Sequence, residues 1–202
     1  MLAMIVEEVA GESIRKFAKK HIFEPLEMKQ TLFYDNNRDL IKNRVFSYEP
    51  TTRNEHGFNN LISRFDLVGS GGVYSSIEDL FLWDQNFYDN KLGKGGQAII
   101  EKMHTEGLLN NGESSGYAFA LNNGTYKGLK TVSHGGALAG YRAQLMRFPE
   151  QEFSIIILAN RADANPTGKS YQVADLFLKE HFVEEPEEEE VVEEMAEEGV
   201  TE

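Results

Sequence analysis

The chain has 202 residues, of which 41% are hydrophobic, so it is long enough for one domain with a substantial core. It contains no cysteine, which excludes disulfides, cysteine-ligated metals and thiol catalysis. Its formal net charge is −13, but eleven of the 33 acidic residues lie from Glu184 onward, and the remaining 22 nearly balance the 20 basic residues. Because no basic surface is expected, nucleic acid is not a predicted partner.

Composition divides the chain into a body, residues 1–183, and an acidic tail, residues 184–202. The tail has too little apolar surface to offset the entropy of an ordered chain, so we predict that it is disordered. No apolar run approaches the ~20 residues of a membrane span. The first ten residues have no basic leader and contain Glu7 and Glu8, so they are not a signal peptide, and the sequence leaves the compartment open. They resemble the interior of a helix ending at Gly11, which predicts a domain incomplete at its amino terminus.

Helices are predicted where apolar residues recur with helical spacing behind capping residues. Ser13 is predicted to cap a helix that ends at Pro25. A second helix is predicted to begin with a capping box, formed by Ser75 with Glu78 or by Ser76 with Asp79. The aromatic residues of this second helix are expected in the core. Further helices are expected over residues 97–105 and 169–182. Residues 31–65 are polar and weakly periodic, which predicts long connections with short helical turns that wall a site.

Beyond residue 105 the apolar period changes from helical to two, which predicts strands. Short connections between them imply antiparallel hairpins, with turns at residues 122–124, in the His-Gly-Gly region and at residues 149–152. Ile155–Leu158 is apolar on both faces, which predicts a central strand covered by helices on both sides. The fold class is therefore α+β, an antiparallel sheet flanked by helices. The strand candidates are Tyr117–Asn122, Leu129–His134, Tyr141–Phe148 and Phe153–Ala159.

The segment His134-Gly135-Gly136 is the strongest candidate for chemistry. Taken alone, His134 is a histidine at a strand end, hydrogen-bonded to its neighbours. The two following glycines favour a cleft, because they let the backbone approach a ligand closely. Tyr74, Tyr117 and Tyr141 either wall that cleft or pack against the core.

With these residues, the strand pattern resembles the carboxyl-terminal part of the serine beta-lactamase and penicillin-binding-protein-like family, which includes esterases and D-aminopeptidases. Four further segments resemble that family in the same order, and together they cover roughly residues 1–182. Residues 1–11 resemble the helix after the family's second motif, and Ile22–Met28 resembles its Phe-x-Pro-Leu-Gly-Met segment, with Glu27 in place of glycine. The other two are Ser70–Leu80, and Phe148-Pro149 with Leu158–Arg161.

The resemblance implies acyl transfer without a cofactor: a serine attacks a carbonyl, a lysine or tyrosine moves the proton, and backbone N–H groups hold the oxyanion. The family draws these groups from Ser-x-x-Lys, Tyr-x-Asn and Lys-Thr-Gly or a His-x-Gly variant. By this resemblance the chain begins just after the second motif, so that only the third is present in the family's order, as His134-Gly135-Gly136, with the Ala137 N–H as half of the oxyanion hole. The implied substrate-binding residues are His134, Gly135, Gly136 and Tyr141, for a small-molecule or peptide substrate.

The resemblance also implies that an amino-terminal part of the same domain supplies the nucleophile and further strands, and is a partner of this chain. Without those strands, a sheet edge and an apolar helix face are expected to be exposed. Histidine in place of lysine has a chemical consequence, because a free histidine titrates near about 6.5 and is mostly neutral at pH 7. This weakens recognition of a carboxylate and favours ester or small-amide substrates over penicillin-like ones.

Two other motif matches are weaker. Ser13-Ile14-Arg15-Lys16 fits Ser-x-x-Lys, but Lys16 shares a charged face with Lys19 and Lys20, and Ser13 serves as a cap. Residues 112–116 fit Gly-x-Ser-x-Gly, yet they lead into a strand, whereas that motif requires a following helix. The histidines show no metal-ligand spacing, so no metal site is predicted. The alternative function is a catalytically inactive module that keeps the cleft and binds a peptide, a cell-wall fragment or a protein.

Overall fold

A computed structural model describes residues 1–53, 55–61 and 66–183; the acidic tail lies outside the described residues. The main sheet is antiparallel and has four strands, which follow one another in chain order. Two small sheets pair Leu32–Phe33 with Val73–Tyr74 and Tyr48–Pro50 with Phe58–Asn60. Helices accompany these sheets, which confirms the α+β class. No helix in the described ranges is long and apolar enough to cross a bilayer.

The helices are α1 (Leu2–Ala10), α2 (Ile14–Ala18, continued by a π-helical turn over Lys19–Phe23), α3 (Ile77–Gln85), α4 (Gln97–Met103) and α5 (Pro166–Phe177). The strands are β1 (Leu32–Phe33), β2 (Tyr48–Pro50), β3 (Phe58–Asn60), β4 (Val73–Tyr74), β5 (Asn122–Tyr126), β6 (Leu129–Leu138), β7 (Tyr141–Phe148) and β8 (Phe153–Ala159).

The helix caps follow the local sequence. Gly11 ends α1 with a φ of 68°, a left-handed conformation that glycine adopts without steric cost. Of the two capping pairs considered before α3, Ser76 and Asp79 form the bond, since the Asp79 N–H donates to the Ser76 hydroxyl at 3.3 Å. The buried Asp79 carboxylate accepts from the Gln30 N–H at 2.7 Å and from the Thr31 hydroxyl at 2.6 Å. The start of α3 is thereby tied to the segment that enters β1.

The first hairpin of the main sheet differs from the prediction. The turn lies at Lys127-Gly128, where both residues have positive φ (48° and 79°), as two-residue hairpins with a primed turn require. The Asn-Asn-Gly sequence predicted as a turn lies within β5, where the Asn123 amide donates to the His104 carbonyl at 2.9 Å. The connections over residues 31–53 and 55–61 contain short turns, in which the Asp39 N–H donates to the Asn36 carbonyl and the Arg44 N–H to the Ile41 carbonyl. They also contain the short strands β1, β2 and β3, which were not predicted.

β8 has helices on both faces, as predicted, but it is not a central strand. α5 packs on one face of the sheet and α3 on the other. Among the described strands, only β7 pairs with β8, so β8 forms an edge of the sheet. A groove of about 600 Å³ runs between α3 and β8, lined by Phe81 and Ile156 among others. Phe81, predicted to be in the core, is 54% exposed in this groove.

A buried ion pair joins α3 to the sheet. The Arg147 Nε on β7 donates to the Asp84 carboxylate at 2.7 Å, and both side chains are 2% exposed. The Ser154 hydroxyl of β8 donates to the same carboxylate oxygen at 2.8 Å. The guanidinium carbon lies 4.1 Å from the centroid of the Phe87 ring and 4.8 Å from that of Tyr88. On the opposite face, α5 covers an apolar cluster of Leu129, Met146, Phe148, Ile155, Ala174 and Leu178.

His104, at the end of α4, makes stability depend on pH. Burial, together with the positive charge of Arg147, lowers the pKa of His104 below its ordinary value of 6.5. The unfolded chain therefore binds more protons than the folded one between the lowered value and about 6.5. The free energy of unfolding is expected to decrease as pH falls through that window and to be fully restored above it. Urea unfolding at pH 7.5, 6.5 and 5.5 measures this dependence.

The matched variants are His104→Phe, which keeps an aromatic ring without a titrating group, and His181→Gln, which removes an exposed histidine. H104F is expected to flatten the dependence between pH 6.5 and 5.5, whereas H181Q keeps it. An unchanged slope in H104F contradicts the assignment.

Candidate active site

The sequence suggested that the His-Gly-Gly segment lies at a strand end or turn. In the structure, the segment lies inside β6. β6 continues through the segment and turns into β7 at Ala139-Gly140. β5 pairs with β6 only as far as Ser133. From His134 to Leu138, β7 is the only neighbouring strand in the described ranges, and these five residues are exposed. We call this stretch, His134–Leu138, the open edge.

The register shows which backbone groups the open edge presents. Leu138 and Tyr141 flank a two-residue turn and therefore form a hydrogen-bonded pair. From there, non-hydrogen-bonded and hydrogen-bonded pairs alternate along β6. Gly136 therefore bonds to β7, whereas the N–H groups of Gly135 and Ala137 point away from it. These groups can bind an extended chain or stabilise a developing oxyanion.

The two glycines meet different constraints. A Cβ atom at Gly135 would lie 2.9 Å from Oε1 of Gln144, a buried side chain held by the Thr167 hydroxyl at 2.9 Å. At Gly136, a Cβ would meet only the Ala143 methyl group at 3.5 Å, an ordinary contact. Packing beneath the strand therefore explains Gly135. Gly136 leaves the strand surface beside His134 bare, so that a ligand can approach the backbone closely.

Tyr117 lies beside His134 at one end of the open edge. Its hydroxyl is 3.2 Å from Nε2 of His134, and the two ring centroids are 6.2 Å apart. Tyr117 was predicted to start a strand, but it precedes β5 and pairs with Asn122 through an isolated bridge. Both side chains are exposed, so the contact orients the imidazole where a ligand can reach it.

Tyr141 closes the other end of the open edge. Its hydroxyl donates to the Val45 carbonyl at 2.7 Å, and its ring meets that of Tyr74 edge to face, with centroids 6.0 Å apart. Burial, followed by the proximity of Tyr141, raises the pKa of Tyr74 to about 12, so Tyr74 stays neutral. Because the Tyr141 hydroxyl is bonded to the loop, its ring and backbone are what it can offer a ligand.

Arg44 is the site residue that sequence analysis missed. Its guanidinium lies over the rings of Tyr34 and Tyr74, 5.3 and 5.0 Å from their centroids. Nη1 is 3.5 Å from the Tyr34 hydroxyl. Nothing in the sequence distinguishes it from the three other arginines of residues 31–65.

The alternative motif serines have ordinary structural roles. The Ser13 hydroxyl accepts from the Lys16 N–H at 3.4 Å as the cap of α2, and Lys16 is exposed. The Ser114 hydroxyl contacts the Glu106 carboxylate in an exposed loop that leads toward β5. Within the described residues, neither serine has a lysine or histidine within hydrogen-bonding reach to activate it. The same ranges hold no group of three or more His, Asp or Glu side chains placed to bind a metal ion.

Residues 1–177 match the family model described as Beta-lactamase, so the chain belongs to this family of serine beta-lactamases and penicillin-binding-protein-like hydrolases. This confirms the resemblance inferred from the motifs. Penicillin-binding protein 4* of Bacillus subtilis (strain 168) is 31% identical over 198 residues, covering 91% of this chain and 42% of that protein. D-aminopeptidase of Brucella ovis is 26% identical over 160 residues, covering 79% of this chain and 30% of that protein. The chain spans less than half the length of these relatives.

Solved structures share the fold. The octameric penicillin-binding protein homologue from Pyrococcus abyssi superposes with a TM-score of 0.73 at 24% identity, over 88% of this chain and 40% of that one. D-amino acid amidase from Ochrobactrum anthropi SV3, complexed with D-phenylalanine, gives a TM-score of 0.67 at 17% identity, over 85% of this chain and 53% of that one. These neighbours confirm a transpeptidase-like fold of which the chain covers a part.

Proposed function

We propose that this chain forms one wall of the active site of a serine hydrolase that cleaves an ester, a small amide or a D-amino-acid peptide through an acyl-enzyme. The observation that carries the proposal is the open edge of β6. There the N–H groups of Gly135 and Ala137 face solvent beside His134, with no strand opposite them in the described ranges. Hydrolysis of D-amino-acid peptides also fits the D-aminopeptidases among the relatives.

In the proposed reaction, the serine oxygen bonds to the substrate carbonyl carbon and its proton passes to a lysine or tyrosine base. The carbonyl oxygen becomes an oxyanion, and the Ala137 N–H donates a hydrogen bond to it. Collapse of this intermediate breaks the bond to the leaving group, which takes the proton from the base. Water then attacks the acyl-enzyme by the same steps and frees the serine.

The other residues of the open edge bind the substrate. An extended substrate lies along β6 as an added strand and accepts a hydrogen bond from the Gly135 N–H. Gly136 lets it approach closely, and the ring of Tyr141 limits the cleft at the far end. His134, oriented by Tyr117, contacts the substrate through its imidazole, and a histidine in place of the family's lysine favours esters and small amides over penicillin-like carboxylates.

We further propose that the nucleophile and its base come from residues outside these 202. Ser13 and Ser114 are the serines of the chain that match nucleophile motifs, and neither has a suitable base in the described ranges. The apolar groove between α3 and β8 offers a surface on which such a segment can pack.

The test uses the polypeptide expressed from the complete reading frame of the gene, treated with a fluorophosphonate probe and with a fluorescent penicillin. We expect covalent labelling by the fluorophosphonate, turnover of short p-nitrophenyl esters and weak turnover of nitrocefin. The control replaces with alanine the serine of the Ser-x-x-Lys motif that we propose lies outside these 202 residues, and not Ser13. This change is expected to abolish labelling.

A product that binds D-amino-acid peptides but is never labelled supports the inactive binding module in place of the enzyme. Rapid nitrocefin hydrolysis without ester hydrolysis contradicts the substrate preference assigned to His134.

A further inference from the structure

A cation without a carboxylate partner lies at the Tyr141 end of the open edge. The Arg44 guanidinium lies over the rings of Tyr34 and Tyr74, and its Nη1 is 3.5 Å from the Tyr34 hydroxyl. In the described part of the chain, no Asp or Glu lies within ion-pair distance of it. Its Nε is buried and has no hydrogen-bond partner there.

Three other arginines of the described residues have carboxylate partners. Arg15 binds Asp35 at 2.8 Å and Asp39 at 2.6 Å, Arg147 binds Asp84, and Arg161 binds Asp163 at 2.6 Å. Arg142 also has no carboxylate in the described ranges, but its guanidinium donates to the carbonyls of Ala139 at 2.9 Å and Tyr141 at 2.7 Å. Arg44 is half-buried and has no carboxylate partner within the described ranges.

The tyrosines around Arg44 compensate its charge only in part. Cation–π contacts offset some of the cost of removing a guanidinium from water, but they add no negative charge. The hydroxyl of Tyr74 stays neutral because burial and Tyr141 raise its pKa to about 12. A planar guanidinium is suited to binding a carboxylate through two parallel hydrogen bonds. The charge of Arg44 is therefore left for an anion that the described chain does not provide.

The position of Arg44 connects it to the open edge. Arg44 lies over the Tyr74 ring, which meets the ring of Tyr141, and Tyr141 pairs with Leu138, the residue that follows the proposed oxyanion donor Ala137. Leu138, the partner of Tyr141, is an even number of residues from His134 along β6. The side chains of Tyr141 and His134 therefore lie on the same face of the sheet. A substrate whose carbonyl oxygen meets the Ala137 N–H can therefore extend one end past Tyr141 to Arg44.

We propose that Arg44 is an anion-binding residue of this cleft, which takes a carboxylate that the substrate carries at a distance from the scissile carbonyl. The inference rests on the proposed function and specifies its substrate class: acyl compounds or peptides with a terminal or side-chain carboxylate. It places the anion at the hairpin end of β6 and β7, away from His134.

The test measures binding of two probe pairs to the 202-residue chain by isothermal titration calorimetry. One pair is N-succinyl-D-phenylalaninamide and its uncharged succinamoyl analogue, and the other is N-acetyl-D-phenylalanyl-glycyl-glycine and its uncharged carboxyl-terminal amide. The pairs place a carboxylate at opposite ends of the ligand. In the unmodified chain, we expect the acid of at least one pair to bind about tenfold more tightly than its uncharged analogue.

Three variants decide the outcome. Arg44→Gln is expected to remove the preference for the acid while leaving the affinity for the uncharged analogue unchanged. Arg44→Lys keeps the charge without the planar fork and is expected to keep a reduced preference. Arg38→Gln, which removes an exposed arginine from the same connection, is the matched control and keeps the full preference.

The proposal is overturned if neither acid is preferred by the unmodified chain, or if the preference survives R44Q. If R44Q also loses the uncharged probes through damage to the fold, Arg44→Met, which keeps an apolar stem over the tyrosine rings without the charge, decides, and a preference that survives in it overturns the proposal. Failure of the proposed function is a separate result: absence of fluorophosphonate labelling with an Arg44-dependent acid preference leaves an anion-binding cleft that is not an enzyme.

Discussion

Replacing Asp84 with alanine is expected to lower the free energy of unfolding by about 3–5 kcal/mol, because the substitution leaves a buried charge without its partner. Arg147 and Asp84 are each 2% exposed and 2.7 Å apart, so water cannot replace the lost carboxylate without opening the core. The Ser154 hydroxyl loses its acceptor at the same time. Urea unfolding at pH 7, followed by circular dichroism, measures the change.

An exposed ion pair in the same sheet region provides the matched control. Lys130 and Glu150 lie 3.0 Å apart, but their side chains are 72% and 55% exposed. Glu150→Ala is therefore expected to cost no more than about 1 kcal/mol. The double variant Asp84→Leu/Arg147→Met, which removes both buried charges, is expected to recover most of the loss. Equal costs for D84A and E150A contradict this account.

The ion pair also matters to the site. It fixes α3 against β7 and β8, and the start of α3 holds the entry to β1 through Asp79. β1 pairs with β4, which carries Tyr74 at the Tyr141 end of the open edge. We therefore expect D84A to loosen this end of the cleft as well as the core.

Replacing Ala137 with proline is expected to reduce kcat about 10²–10³-fold, which corresponds to about 2.7–4 kcal/mol of lost transition-state stabilisation. Proline removes the N–H group proposed to bind the oxyanion. Because that group faces the open edge and not β7, the hydrogen bonds of the sheet remain. The preceding residue is Gly136, which has no Cβ to clash with the proline ring. The measurement is ester hydrolysis by the polypeptide from the complete reading frame.

Gly136→Pro serves as the positional control one residue away. The Gly136 N–H bonds to β7, so proline there breaks the ladder and is expected to lower Tm, whereas A137P keeps Tm close to that of the parent. Undiminished kcat in A137P shows that the Ala137 N–H does not bind the oxyanion. A large loss of Tm in A137P contradicts the assignment of its N–H to the open edge.

The amino-acid sequence by itself determined the features that depend on local rules. The caps at Ser13 and Ser76 formed as predicted, because a hydroxyl before a helix meets the free N–H groups of its first turn. β7 and β8 have the predicted bounds, since alternating or continuous apolar residues end there at evident turns. The family was evident as well, because five segments occur in its order.

Features that depend on contacts between distant segments were decided by the tertiary structure alone. The sequence predicted Asn123 as a turn residue. In the structure Asn123 lies in β5, where its side-chain amide donates a hydrogen bond to the His104 carbonyl. The open edge exists because β5 begins opposite Ser133, and no local pattern encodes where one strand stops alongside another. Arg44 reaches the cleft through the Tyr74 ring, which meets Tyr141 from a distant part of the chain. Local sequence sets which conformations a segment prefers, but the register and the contacts that place charges beside a cleft arise only when segments pack together.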